Sequence, residues 1–173
     1  MRSEPVTTSP HEPSAIHLYS KWLRQLHALI AEGKGDDDEA DKLRDEMDLP
    51  WRQLNKDELN FVQGLSADLY TLSLDSHIKH PLTGGINSND FAAELRIMRR
   101  AGNFYGVLAL LRDRPQCISA DLAAFLRGWC YEQLGDFATA ELFFEHAAKL
   151  DNKNDLYAMF ALDPLNTSQP LNK

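Results

Sequence analysis

The chain has 173 residues, 43% of them apolar and 25% charged, a balance that supplies a core and excludes wholesale disorder. Its formal net charge of −8 makes the general surface repel phosphate backbones, so no nucleic-acid partner is expected. No apolar run approaches the ~20 residues that span a bilayer, so no membrane partner is expected either, and the two cysteines, Cys117 and Cys130, are too few for a disulfide scaffold and lack zinc spacing.

Residues 1–13, MRSEPVTTSPHEP, hold three prolines among Ser, Thr and Glu, without the apolar stretch of a signal peptide. They are expected to form a disordered tail, and the protein to be cytoplasmic. Three helices are expected in 14–80, an N-terminal lobe. The first carries Ile16, Tyr19, Leu23, Leu26 and Ile30 at helical spacing, with His17 and His27 as partly exposed members, and stops at Gly33 and Gly35. The acidic run DDDEAD (36–41) then meets the positive end of a second helix, whose stripe is Leu43, Met47, Trp51 and Leu54. Pro50 predicts a kink or break there. Asn55 and Glu58 are spaced as a capping pair before a third stripe, Leu59, Val62, Leu65, Leu69 and Leu72. The segment SHIKHPLTGGINSND (76–90) interrupts the pattern and is expected to be a seam. No strand alternation appears, so the predicted fold class is all-α.

Beyond the seam, Gly102-Asn103-Phe104 and Gly135-Asp136-Phe137 lie 33 residues apart, each between two helical runs. A period of this length in helix–turn–helix units marks stacked repeats. In the second unit Gly128 and Ala140 are small residues where two antiparallel helices approach closely, Tyr131, Leu134 and Phe144 fill the space beside them, and Ala147 keeps the second helix near whatever stacks next. On these residues, 121–152 resemble a tetratricopeptide repeat. Gly128, Tyr131, Ala140, Phe144 and Ala147 match that family's restricted positions. Ala124, Arg127 and Asn152 depart from it, standing where a large aromatic, Leu and Pro are usual. A more degenerate unit is expected at 88–120, with Phe91, Leu95 and Met98 on its first helix and Phe104, Val107, Leu108 and Leu111 on its second, which Pro115 cuts short. Leu156, Tyr157, Met159 and Phe160 suggest a C-terminal capping helix at 154–162, completing a repeat region over 88–163 before a flexible tail at 164–173.

The resemblance implies a short array of helical hairpins behind the N-terminal lobe, acting by binding another protein. In tetratricopeptide proteins the first helix of each unit lines a concave groove. Carried over, the groove residues are Leu122, Phe125, Trp129 and Glu132 in the better unit, and Asn89, Ala92, Arg96, Arg99 and Arg100 in the other. Such a face would hold a peptide or helix of a partner, with an acidic or carboxylate-terminated segment and an apolar side chain as the expected match. Alternatively Phe125 and Trp129 are core beneath the N-terminal lobe, and Arg99 and Arg100 pair with its acids. A chaperone for a secreted or membrane-acting partner and a self-associating subunit are the other expected roles.

Signals of chemistry are weak. There is no Gly-rich phosphate loop, GxSxG or HExxH. Asp75, His77 and His80 in DSHIKH follow no recognised ligand pattern, and DDDEADKLRDEMD (36–48) lacks the glycine of a calcium loop. Cys130, between Trp129 and Tyr131, reads as an inert buried thiol. No catalytic residue, cofactor or metal is expected.

Overall fold

The computed structural model describes residues 14–73 and 88–154. Seven α-helices and one 3-10 turn make up 81% of these residues, and no strand occurs among them, in agreement with the all-α expectation. The expected N-terminal tail, C-terminal capping helix and final tail, and most of the seam with its DSHIKH motif, lie outside the described residues. The chain divides into two compact units, Met1–Val62 and Gln63–Lys173.

In the first unit α1 (Ala15–Ala31) and α2 (Asp38–Trp51) form a hairpin, and α3 (Lys56–Ser73) begins. Helix α1 ends in a Schellman turn: Gly33 takes φ +76°, its amide bonds the Ile30 carbonyl at 3.0 Å, and the Lys34 amide reaches Leu29 at 2.8 Å. Glycine is required there because other residues resist positive φ. Along α1 the buried line is Ser20, Leu23 and His27. His27 therefore corrects the expectation of partial exposure, since i, i+3, i+7 spacing from Ser20 carries it onto the core stripe. Burial pushes its imidazole below the ordinary value. Helix α2 opens with Asp38, Glu39 and Asp41 in its first turn and buries Ala40, Met47 and Pro50. It stops one residue past Pro50, as the proline predicts. Trp51 is partly exposed and meets Tyr19 with centroids 5.4 Å apart. The capping pair forms as expected before α3: the Asn55 side chain accepts from the Asp57 and Glu58 amides at 2.9 and 3.0 Å, and Glu58 accepts from the Asn55 amide at 2.8 Å.

In the second unit the remainder of α3 accompanies two hairpins, α4 (Ser88–Arg100) with α5 (Phe104–Asp113), and α6 (Ala120–Gln133) with α7 (Phe137–Leu150). Their turns are the same in detail. Gly102 and Gly135 take φ +66° and +81°. The next amide, Asn103 or Asp136, bonds back five residues at 2.9 Å to Met98 or Tyr131. The same two side chains then cap the following helices, Asn103 accepting from the Gly106 amide at 2.9 Å and Asp136 from the Thr139 amide at 3.2 Å. A left-handed glycine followed by an Asx cap is what Gly-Asn/Asp-Phe encodes. The 33-residue period in sequence is thus a repeated backbone geometry.

Packing follows the small-residue expectation in the α6–α7 hairpin. A Cβ on Gly128 would lie 2.7 Å from Phe144 Cδ1 and 3.1 Å from the Ala140 carbonyl oxygen, so the two helices approach to a distance that only glycine permits. Tyr131, Ala140, Phe143, Phe144 and Ala147 are fully buried around that crossing, and the rings of Tyr131 and Phe143 stack at 5.7 Å. Helix α5 has 10 residues against 14 in α7, because Pro115 starts a 3-10 turn (Pro115–Cys117) in its place. Val107, Leu108, Leu110 and Leu111 are its buried residues.

Candidate functional site

Helices α4 and α6 bring together part of the arginine and aromatic set expected on the groove. The Arg99 guanidinium carbon lies 4.9 Å from the centre of the Trp129 ring, a cation–π contact. The edge of Phe104 braces the same indole, with centroids 5.2 Å apart and planes at 80°. Trp129 is half-buried by these neighbours, and Arg99 stays exposed. Leu122, one turn from Phe125, is 40% exposed. Phe125 is half-buried and tilts against Phe144 at 5.6 Å, so its ring serves the α6–α7 hairpin as well as the outer face. Arg96 is exposed and its Nε donates to the Ala92 carbonyl at 3.1 Å; Arg100 is exposed. Glu132 is 6% exposed, which corrects its expected place on an open face. The Asn89 side chain lies outside those described.

The opposite side of α6 carries a buried ionic cluster that no motif announced. Asp68, on α3, is fully buried. Its carboxylate accepts from Arg127 Nε at 3.0 Å, from Arg112 Nη1 at 2.7 Å and from the Tyr131 hydroxyl at 2.7 Å. Two cations and a phenol around one carboxylate satisfy a charge that would otherwise be costly to bury. Burial, then the Asp68 charge, hold the Tyr131 hydroxyl well above its ordinary ionisation range, so it remains a donor. Gly64 makes room for the cluster: a Cβ there would meet the Arg112 guanidinium at 3.1 Å. With about 100° per residue, Arg127 and Tyr131 project from α6 well away from Phe125 and Trp129. The docking of α3 on the first side therefore leaves the second unobstructed by α3.

A sequence signal for the cluster was present. Asp68 sits within the stripe Leu65, Leu69, Leu72, where a carboxylate needs a cation partner, and Arg127 stands where the resembled repeat carries Leu. Such positions identify a pair without naming the match, because Asp68 and Arg127 are 59 residues apart.

Burial pushes the Cys130 thiol up to about 12, which keeps it protonated and poorly nucleophilic at neutral pH. Cys117 is partly exposed. Among the described residues no group of three or more His, Cys, Asp and Glu side chains is placed to hold a metal ion, and no helix is long and apolar enough to cross a membrane. Compared with protein-family models, with curated proteins and with solved structures, the chain gives no match.

Proposed function

We propose that the two hairpins of residues 88–150 are tetratricopeptide-like units. On this reading they act without catalysis as a protein-interaction module, in which the shared face of α4 and α6 takes a peptide or helix of a partner. The observation that carries this reading is the Arg99–Trp129 pair. It joins the first helices of the two hairpins into one outer face that combines an aromatic surface, the exposed Leu122 and three arginines. Tryptophan and arginine are the residue types that dominate binding hot spots. The matching turns of the two hairpins support the repeat reading, since equivalent turns at a fixed period place successive first helices side by side. The anchoring of α3 on the far side of α6 is consistent with a face kept for another molecule.

Affinity capture with the full chain, compared with its Trp129→Ala and Leu122→Ala variants, tests the reading. Proteins retained by the parent should be lost from both variants while the helical circular-dichroism spectrum is unchanged. Equal retention by all three proteins would remove the proposal.

A further inference from the structure

Arg96, Arg99 and Arg100 set three positive charges within five residues at the end of α4, at i, i+3 and i+4, a spacing that gathers them on one side of the helix. All three are exposed, and none pairs with a carboxylate among the described residues. Carboxylates are not scarce: the chain has 26 Asp and Glu against 18 Lys and Arg. Like charges one turn apart repel, so the cluster is held at a local cost that a bound anion would relieve. One member is already oriented, because Arg99 lies over Trp129 and the indole is braced by Phe104. A guanidinium held over an aromatic ring still has N–H donors to offer an anion.

We propose that this end of α4 binds a phosphorylated segment of a partner protein, with the phosphoryl group on Arg96, Arg99 and Arg100. The inference rests on the reading of the α4–α6 face as a partner-binding surface and names what that surface recognises. Magnitude favours a phosphoryl group over a carboxylate. An exposed arginine–carboxylate pair contributes little net binding, whereas a phosphoryl group brings nearly two charges and three acceptor oxygens to three donors. Nucleic-acid phosphates offer similar acceptors, but a polyanion must approach a chain of net charge −8. A single phosphoryl group sits inside the local field of the arginines, within a screening length of about 8 Å.

The test uses the full chain carrying Trp22→Phe and Trp51→Phe, which leaves Trp129 as the one emitter of the three tryptophans. The probes are a peptide library randomised around a fixed phosphoserine, the same library with serine, the same with glutamate, and a single-stranded oligonucleotide. The phosphoserine library should bind about tenfold more tightly than the serine and glutamate libraries and shift Trp129 emission. Arg96→Ala/Arg100→Ala, which spares the Arg99–Trp129 contact, should bring it down to the serine level with the fold intact. Equal affinity for the three libraries, absence of binding by any of them, or tighter binding of the oligonucleotide would each overturn the inference. Phosphatase treatment separates this from the underlying reading. A captured partner that stays bound after phosphatase yet still requires Trp129 refutes phosphoryl recognition alone, and a partner that requires neither refutes both.

Discussion

Replacing Asp68 by alanine strips two guanidinium groups and a phenol of their shared acceptor where α3 meets α5 and α6. Removal of one partner from a buried ion pair costs about 3–5 kcal/mol, because the other charge is left uncompensated. The three partners do not suffer equally. The Arg112 side chain is 27% exposed and turns to water, whereas that of Arg127 is 7% exposed and Tyr131 is fully buried. The expected loss is therefore near the lower end, about 3–4 kcal/mol, a large share of the roughly 5–15 kcal/mol that stabilises an ordinary domain. Urea unfolding followed by circular dichroism measures it, with an unchanged slope showing that the same surface is exposed. A companion variant, Asp68→Leu/Arg127→Leu/Tyr131→Phe, removes the two most deeply buried partners with the carboxylate. It should recover to within about 1 kcal/mol of the parent, since apolar replacement of a whole buried ionic group is often neutral or better. A loss below about 1 kcal/mol for Asp68→Ala would refute the argument that this carboxylate compensates buried charge. So would a triple variant less stable than the single one.

Gly128→Ala should destabilise by about 1–3 kcal/mol even though alanine is the better helix former, because the added methyl meets the Ala140 carbonyl as well as the Phe144 ring; a melting temperature at or above the parent's would contradict the close crossing. At Gly135 nothing lies within 4 Å of the added Cβ, so Gly135→Ala should cost only its conformational penalty of about 1–2 kcal/mol, and Gly135→Asn less, as read from urea midpoints. Acid should weaken the fold through His27 and His146, both held below the ordinary value of 6.5, chiefly by burial. The unfolded chain binds protons there that the folded chain resists, so this contribution is complete above pH 6.5 and is lost as pH falls below it. A His27→Gln/His146→Gln variant should flatten the stability profile between pH 7 and 5, and an unchanged profile would count against that assignment.

Local rules made much of the fold legible. Gly33, Gly102 and Gly135 announced helix ends because positive φ is a property of one residue. Asn55 with Glu58 is a cap closed within four residues of chain. Gly128 and Ala140 were readable as a crossing because a short turn brings adjacent helices back on each other. The Arg99–Trp129 contact was not readable in the same way. It joins α4 to α6 across an intervening helix, and sequence spacing sets no distance there. Both residues are expected on one groove, but which arginine covers the indole depends on the rotation of α4. His27 is polar, yet helical phase places it on the buried line of α1. Glu132 shares the helical spacing of Leu122, Phe125 and Trp129, yet it is buried, so spacing along one helix does not fix exposure.

The departure at Arg127 gains meaning from Asp68. In the resembled repeat that position is usually apolar, where the first helix can bury leucine against a neighbouring helix. Here the neighbour is α3, and the contact is ionic, made by Arg112 and Arg127 with one fully buried carboxylate. An apolar contact tolerates rotation and sliding of the helices, whereas three directed hydrogen bonds to one group allow one register. If that register holds α3 on the Arg127 side of α6, Asp68→Ala should loosen α3 without displacing Arg99 from Trp129. Hydrogen exchange can separate the two. Amides of α3 from Gln63 onward should lose protection in the variant by more than those of α4 and α6. Equal loss across all three helices would mean that the carboxylate supports the whole unit and does not specifically seat α3.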